Sequence, residues 1–414
     1  MSGPETRIRF AAPGINPSLL QLALSLHESG LLGTLSTTLA FGSGHWLPRR
    51  IPKLASRQLS ELPAAAVSTW PWLELVRMAC VRLDQSGRLA DRVWELADHR
   101  FARREATRLQ DCDALIGIEH ACLEAFERAG QIGVKRIYEV PSAHSSLARK
   151  LLESEYARWP ELRPSGLPAD GSPAAARRQA RRDREFELAD IVLAHSSFTR
   201  ASYVDAGFTA DKIHVVPFGA PPVNASAKDA LDRGEHAPSH RPAFLFAGNF
   251  AAHKGAHVLL QAWRQLNEPR ARLLVAGDVY LPDAAMRDCP AGVEFLGRLP
   301  WSELQQLYAR CTALVFPSLS DGFGMVVTEA FANGLPVIAT PNAGAADLLV
   351  DGSNGLLVPI LDPAALADAM RRLLDDDALA LAMRHKAIRT ARDWQWSDFR
   401  AATAQLLKEK LSEI

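Results

Sequence analysis

What most restricts the fold of this chain is a repeated alternation of short apolar runs and helical segments, beginning at residue 8 and continuing almost to the end. Ile8–Ala12 reads as a strand, and Pro13 and Gly14 turn it. Asn16 is placed as an N-cap with Pro17 at the first helical position. Leu19, Leu20, Ala23, Leu24 and Leu26 then form one helical stripe, which Gly30 ends. Leu35–Phe41 is the next expected strand. Strand, helix, strand at this spacing is the βαβ unit, whose crossover helix makes the two strands parallel.

The unit recurs. Ala114–Ile118, Lys135–Val140, Asp190–Ala194 and Lys212–Val216 read as strands, with Ser196 or Ser197 capping the helix after the third. Residues 70–110 are helical in period, with Leu75, Ala79, Leu83, Val93 and Leu96 expected inward. In the second half, strands are expected at 243–247, 271–276, 313–317 and 336–340, and helices at 256–266, 325–333, 362–374 and 394–411. Pro164–Ala174 reads as a surface loop, and Pro221–Pro242, poor in apolar residues, as a linker. The expected architecture is α/β: two Rossmann-like βαβ domains, 1–220 and 243–393, facing each other across a cleft. The linker is 221–242, and the terminal helix 394–414 packs back on the first domain. In such a fold ligands sit at the carboxyl ends of the strands.

Composition removes several classes of function. An apolar share of 48% excludes intrinsic disorder. Forty-seven Lys and Arg balance 47 Asp and Glu, so the basic excess of a nucleic-acid binder is missing. The five cysteines are scattered without a CxxC pair, which fits neither a disulfide framework nor a zinc site. No apolar stretch reaches membrane-spanning length, and the first residues lack the apolar core of a signal peptide; a cytoplasmic protein is expected. The histidine pairs His253/His257 and His236/His240 have no third ligand, so no metal is expected.

Two segments carry chemistry. In Ser320–Thr340 a buried strand delivers Asp321 and two glycines, Gly322 and Gly324, to the start of a helix that carries Glu329 about one turn in. N–H groups at a helix start attract anions, while Glu329 is placed to accept hydrogen bonds from vicinal hydroxyls such as a ribose offers. Phe246–Gly255 repeats the strand-and-glycine turn and sets Lys254 before the next helix, as a charge partner for phosphate. Diphosphate and ribose together indicate a nucleotide. The bland readings are an ordinary capped loop and an exposed loop lysine.

With these motifs the chain resembles the retaining glycosyltransferases of family 4, which have the GT-B arrangement of two Rossmann-like domains. The family's E-x7-E pair falls on Asp321 and Glu329, and its G-x5-K-G loop on Gly248, Lys254 and Gly255. Pro341–Gly344 and Asp351–Pro359 resemble the loop and strand that follow. Gly14 matches the glycine turn near the donor phosphates, and Tyr138–His144 a strand end whose histidine faces the sugar. Two positions depart from the pattern. Asp321 replaces the usual Glu, and Asn249 and His253 stand where many members carry Arg. Losing a fixed cation weakens the hold on a diphosphate by about 1.5–3 kcal/mol; a protonated His253 would replace it in part and raise activity toward acid pH.

The resemblance implies transfer of a sugar, with retention, from a nucleotide-diphosphate sugar to a saccharide or glycolipid acceptor, in polysaccharide or glycoconjugate biosynthesis. No cofactor beyond the donor substrate is implied. Asp321, Lys254 and His144 are the expected catalytic residues. Gly14, Gly248, Asn249, His253, Lys254, Gly322, Phe323, Gly324, Met325, Val326 and Glu329 are the expected donor contacts. No carboxylate stands out as a covalent nucleophile, which fits a front-face route. Two other readings stay open: a non-catalytic nucleotide-sugar-binding protein and a GT-B nucleotide-sugar epimerase. Arg177, Arg178, Arg181, Arg182 and Arg184 form a basic run, read either as a weak peripheral contact with the inner face of an anionic membrane or as a solvated helix face.

Overall fold

A computed structural model describes residues 6–42, 45–51, 54, 57–83, 88–164, 172–234 and 241–413. Two fully parallel sheets organise them. The first contains β1 (Ile8–Ala11), β2 (Leu32–Thr37), β3 (Val67–Thr69), β4 (Ala114–Ile118), β5 (Lys135–Val140), β6 (Ile191–Ala194) and β7 (Ile213–Val215), in the order β3-β2-β1-β4-β5-β6-β7. The second contains β8 (Ala243–Ala247), β9 (Arg272–Ala276), β10 (Val293–Gly297), β11 (Ala313–Phe316), β12 (Val337–Ala339) and β13 (Gly355–Leu357), in the order β10-β9-β8-β11-β12-β13. Helices cover both faces, so β8 and β11 are buried at every residue and read as unbroken apolar runs. Each sheet reverses its order once, at β1/β4 and at β8/β11, and a ligand crevice opens at such a reversal.

Local chemistry sets the helix starts. The Asn16 side chain accepts from Leu19 N at 2.8 Å, with Pro17 at the first helical position. Ser196 Oγ accepts from Thr199 N, and Asp362 caps the helix Pro363–Asp375. Beyond these expected elements, the structure has strands β3 and β10 and helices Ser145–Arg158, Trp301–Arg310 and Asp377–Asp393.

Three expectations need correction. The second strand lies earlier than Leu35–Phe41; it ends at Thr37, where the Thr37 and Thr38 hydroxyls turn to donate to Pro13 O. Residues 70–110 form the helices Trp72–Leu83 and Arg88–Ala106, but Leu75, Ala79 and Leu96 face outward. Leu75 is 45% exposed and Leu96 46%. The inward face of the first helix instead carries Glu74, which accepts from Arg57 at 2.7 Å and Arg77 at 2.8 Å; the second buries Ala97, Phe101 and Ala102, with Val93 half-buried. Hydrophobic period shows which residues share a face, and here a paired carboxylate decides which face turns in. The side chain of Leu83 lies outside the described residues. Finally, the supposed linker holds a helix, Ala225–Asp232, capped by Asn224 and anchored by buried Ala227 and Leu231.

The chain passes between the sheets twice, side by side. Ala220 N donates to Trp394 O at 2.9 Å, Trp396 N donates back to Ala220 O at 3.2 Å, and Trp394 Nε1 reaches Pro217 O. The helix Trp396–Glu413 then lies along the helix Pro17–Glu28, where Ser25 Oγ donates to Arg400 O and Arg400 pairs with Glu28. Phe399, fully buried at this crossing, meets the rings of His195, Phe218 and Trp396 edge-on. Truncating Phe399 to Ala is expected to lower stability by about 3–5 kcal/mol in urea unfolding; a loss below about 1 kcal/mol would show that the crossing is not a packed core.

Candidate functional site

Two turns of the second lobe meet beside its order reversal. After β8, Gly248 leads to exposed Asn249 and then to the short turn Ala252–Lys254. Gly255 closes this turn at φ 71°, and a side chain there would strike the Pro317 carbonyl. This close approach lays the lysine turn on the segment after β11: Leu319 N donates to His253 O at 2.9 Å, and Ser318 Oγ reaches the same carbonyl. The result is a direct ion pair between Lys254 Nζ and Asp321. The other Asp321 oxygen accepts from Phe323 N at 3.3 Å. Gly324 then opens the helix Met325–Ala332, whose first N–H groups have no intrahelical acceptor. Lys254, Asp321 and this helix start therefore converge at one place.

Glu329 sits one turn further in. It is not joined to Lys254; Tyr308, from the helix Trp301–Arg310, donates to its Oε2 at 2.9 Å. Burial pushes the Glu329 carboxyl above its ordinary range, and the Tyr308 hydroxyl opposes that shift. The turn 341–344 closes the same region, as Asp321 N donates to Asn342 O and Gly344 N to Asp321 O, each at 3.0 Å.

The first lobe supplies the opposite wall. A side chain at Gly322 would collide with the Pro141 carbonyl and Ser142, so the loop and the turn after β5 meet backbone to backbone. Ser196 Oγ and Thr199 Oγ1 donate to Gly322 O at 2.7 and 3.2 Å, and Ser197 N donates to Asp347 at 2.6 Å. Gly14, after β1, borders a cavity of about 600 Å³ together with Asn16, Arg57 and Gln58.

Several expected contacts are placed differently. His144 turns into its own lobe: it is buried against Tyr203 and Phe208, Nδ1 bonds Ser146 at 2.7 Å, and Nε2 meets Asp183 at 3.1 Å and Gln179 at 2.9 Å. It also stands as the N-cap of the helix Ser145–Arg158, which fixes it there. Phe323 offers only its backbone, because its ring is buried against Phe218. Burial and neighbouring Lys254 lower the His253 pKa, which moves the expected acid-side gain to lower pH than an ordinary imidazole gives. In the basic run, Arg178 pairs with Asp91 and Glu95, Arg181 with Glu124 and Glu185, and Arg184 with Glu187. His236 and His240 lie outside the described residues.

Residues 227–394 match the family model "Glycosyl transferases group 1". The match spans every strand of the second sheet. It is 28% identical over 321 residues, 72% of each chain, to the D-inositol 3-phosphate glycosyltransferase of Corynebacterium efficiens. Two solved structures share its fold over 99% of this chain and all of theirs: a sucrose-phosphate synthase from Thermosynechococcus elongatus (TM-score 0.64, 19% identical) and Anabaena HepE in complex with UDP and glucose (TM-score 0.62, 17% identical).

The strand end at the order reversal of the first sheet also carries groups that the two motifs do not include. Glu119 follows β4, at the order reversal of the first sheet, and burial raises its carboxyl to about 7, with Arg182 opposing. His120 beside it adopts φ 68°, and burial together with Arg182, Arg181 and Arg178 lowers its pKa to about 4. The signal available was a charged pair at the end of an apolar strand, Ile118-Glu119-His120. Among the described residues no group of three His, Cys, Asp or Glu is placed to hold a metal, and no helix is long and apolar enough to cross a membrane.

The raised Glu329 pKa predicts a pH-dependent stability effect. Its ionised form is penalised in the folded state, fully so above the folded pKa, and the penalty disappears as pH falls below the ordinary carboxyl value. Glu329→Gln keeps an acceptor for Tyr308 and removes the charge. The variant is expected to melt above wild type at pH 7, with the gap closing on acidification; a gap independent of pH would refute the assignment.

Proposed function

We propose that this group 1 transferase moves a sugar from a nucleoside-diphosphate sugar to a saccharide or glycolipid acceptor with retention of anomeric configuration, in the synthesis of a polysaccharide or glycoconjugate. The observation that carries the reading is the meeting of Lys254, Asp321 and the Met325 helix start on two adjoining turns, opposite the first lobe. UDP and glucose in the HepE structure, and the phosphorylated polyol in the name of the Corynebacterium relative, are consistent with this class of donor and acceptor. Cytoplasmic residence follows as part of the proposal, because sugar nucleotides are made there.

In this mechanism the departing diphosphate carries the charge to be stabilised. Lys254 and the N-terminal dipole of the Met325 helix meet that charge, with the Gly324, Met325 and Val326 amides as donors. Asp321 holds Lys254 in place and presents its second oxygen, with the loop around Gly322, to the donor sugar hydroxyls. Glu329 accepts from the ribose hydroxyls, and Gly248 and Asn249 leave room for the phosphates. Gly14 approaches from the other lobe. The leaving phosphate itself takes the acceptor proton on the front face, so the enclosed His144 serves as scaffold rather than as base.

Thermal shift against a panel of nucleotide sugars identifies the donor, since a ligand at 100 times its dissociation constant stabilises by about 2.7 kcal/mol. With that donor, Lys254→Ala is expected to reduce kcat by about 10²–10³, the effect of removing one preorganised charge donor from a transition state. Turnover within threefold of wild type for both Lys254→Ala and Glu329→Ala would overturn the site. Wild type that binds the donor yet neither transfers nor hydrolyses it would favour the non-catalytic reading.

A further inference from the structure

The helix Ser145–Arg158 and the short turn Pro160–Leu162 belong to the first lobe by connectivity, following β5 and the Pro141–Ser142 contact. Their apolar side chains nevertheless pack into the second lobe. Leu162 is part of the core formed by the β8–β9 region, and Leu151, Leu152, Tyr156 and Trp159 cover its edge. Within this strap, Glu155 Oε2 lies 2.9 Å from His257 Nε2, and both side chains are about 5% exposed. His257 is on the first turn of the helix Ala256–Leu266, three residues after Lys254.

The chemistry of this pair is unusual for a structural contact. A carboxylate only accepts, so His257 Nε2 carries the proton and Nδ1 is bare. Nδ1 is buried without a hydrogen-bond partner. A buried orphan nitrogen is unfavourable, and apolar residues of similar volume would fill the site without it. The pair is also a polar bond that runs from the strap to the helix directly behind the lysine turn. Glu155 places its negative charge near that helix's N-terminal turn, where the dipole favours it. The other charged groups around it are Arg158 and Glu161 on the strap, and Arg264 and Asp288 across a cavity of about 320 Å³ that His257 lines.

We propose that Glu155 and His257 form a clasp between the lobes that fixes the lysine turn, making both of them positioning residues for the transfer. Closing the strap on the second lobe pulls on the first turn of the Ala256 helix and sets the direction in which Gly255 releases Lys254. The strap leaves the same β5 end whose turn meets Gly322, so one connection braces both walls of the site. This rests on the donor-site reading above, with Lys254 acting on the departing diphosphate.

A misaimed lysine costs transition-state stabilisation more than donor binding, so the effect falls on kcat. Glu155→Ala and His257→Ala are each expected to lower kcat about tenfold while the donor KM stays within about twofold, and the double variant is expected to match the single ones because both remove one interaction. Glu155→Gln, which still accepts from Nε2, is expected to restore most of the rate. Single-variant rates within about twofold of wild type, or losses that multiply in the double variant, would overturn the clasp. Small-angle scattering reads it without turnover: Glu155→Ala is expected to give a larger radius of gyration than wild type and Glu155→Gln to match wild type. If wild type turns over no nucleotide sugar, the donor reading fails, and an unchanged radius for Glu155→Ala then rejects the clasp separately. Should Glu155→Ala fail to fold, His257→Gln and Glu155→Gln carry the same comparison.

Discussion

The site depends on a contact that only a residue without a side chain permits, the seating of the Gly322 backbone on the Pro141 carbonyl and Ser142. That seating lets Ser196 and Thr199 of the first lobe donate to the Gly322 carbonyl and brings the 341–344 turn onto Asp321. Asp321 in turn holds Lys254. A cation from one strand end and a helix start from another thus occupy fixed positions relative to the opposite lobe. Preorganisation of this kind is what lets a few charged groups act strongly on a developing charge.

Much of this arrangement was legible in the residues. Strands buried on both faces announce themselves as apolar runs, and the helix starts carry side chains that can only be caps, such as Asn16, Ser196 and Asp362. The glycine-rich turns marked where backbone approaches closely, and both lie at strand ends of the second sheet. Short edge strands such as β3 and β10 were not legible, because three to five half-exposed residues leave no period to read. The same limit applies to the helix Ser145–Arg158. Its apolar face is completed by a lobe distant in sequence, and local pattern holds no trace of that partner.

The site residues that moved did so for electrostatic and packing reasons. His144 looked like a cleft residue because it follows a strand end, yet Ser146, Asp183 and Gln179 supply partners for both ring nitrogens inside the lobe. His253 looked like a substitute cation until its enclosure beside Lys254 made protonation unfavourable. The burial that raises the Glu119 carboxyl leaves no mark on a single carboxylate in sequence, and neither does the Tyr203 hydrogen bond that opposes it. Spacing identifies neighbours along the chain, whereas ionisation is decided by neighbours in space.

The helix Trp396–Glu413 buries Leu407 in the core that also contains Ile8, Phe10 and Leu22. The first lobe is therefore assembled from segments nearly 400 positions apart, while every strand of the second sheet lies between residues 243 and 357. On a ribosome, residues 243–393 emerge complete before the helix that seals the earlier lobe has been synthesised. Order of folding is then the reverse of order of synthesis: the second lobe can consolidate first, and the lobe made first waits with an uncovered groove for its last helix.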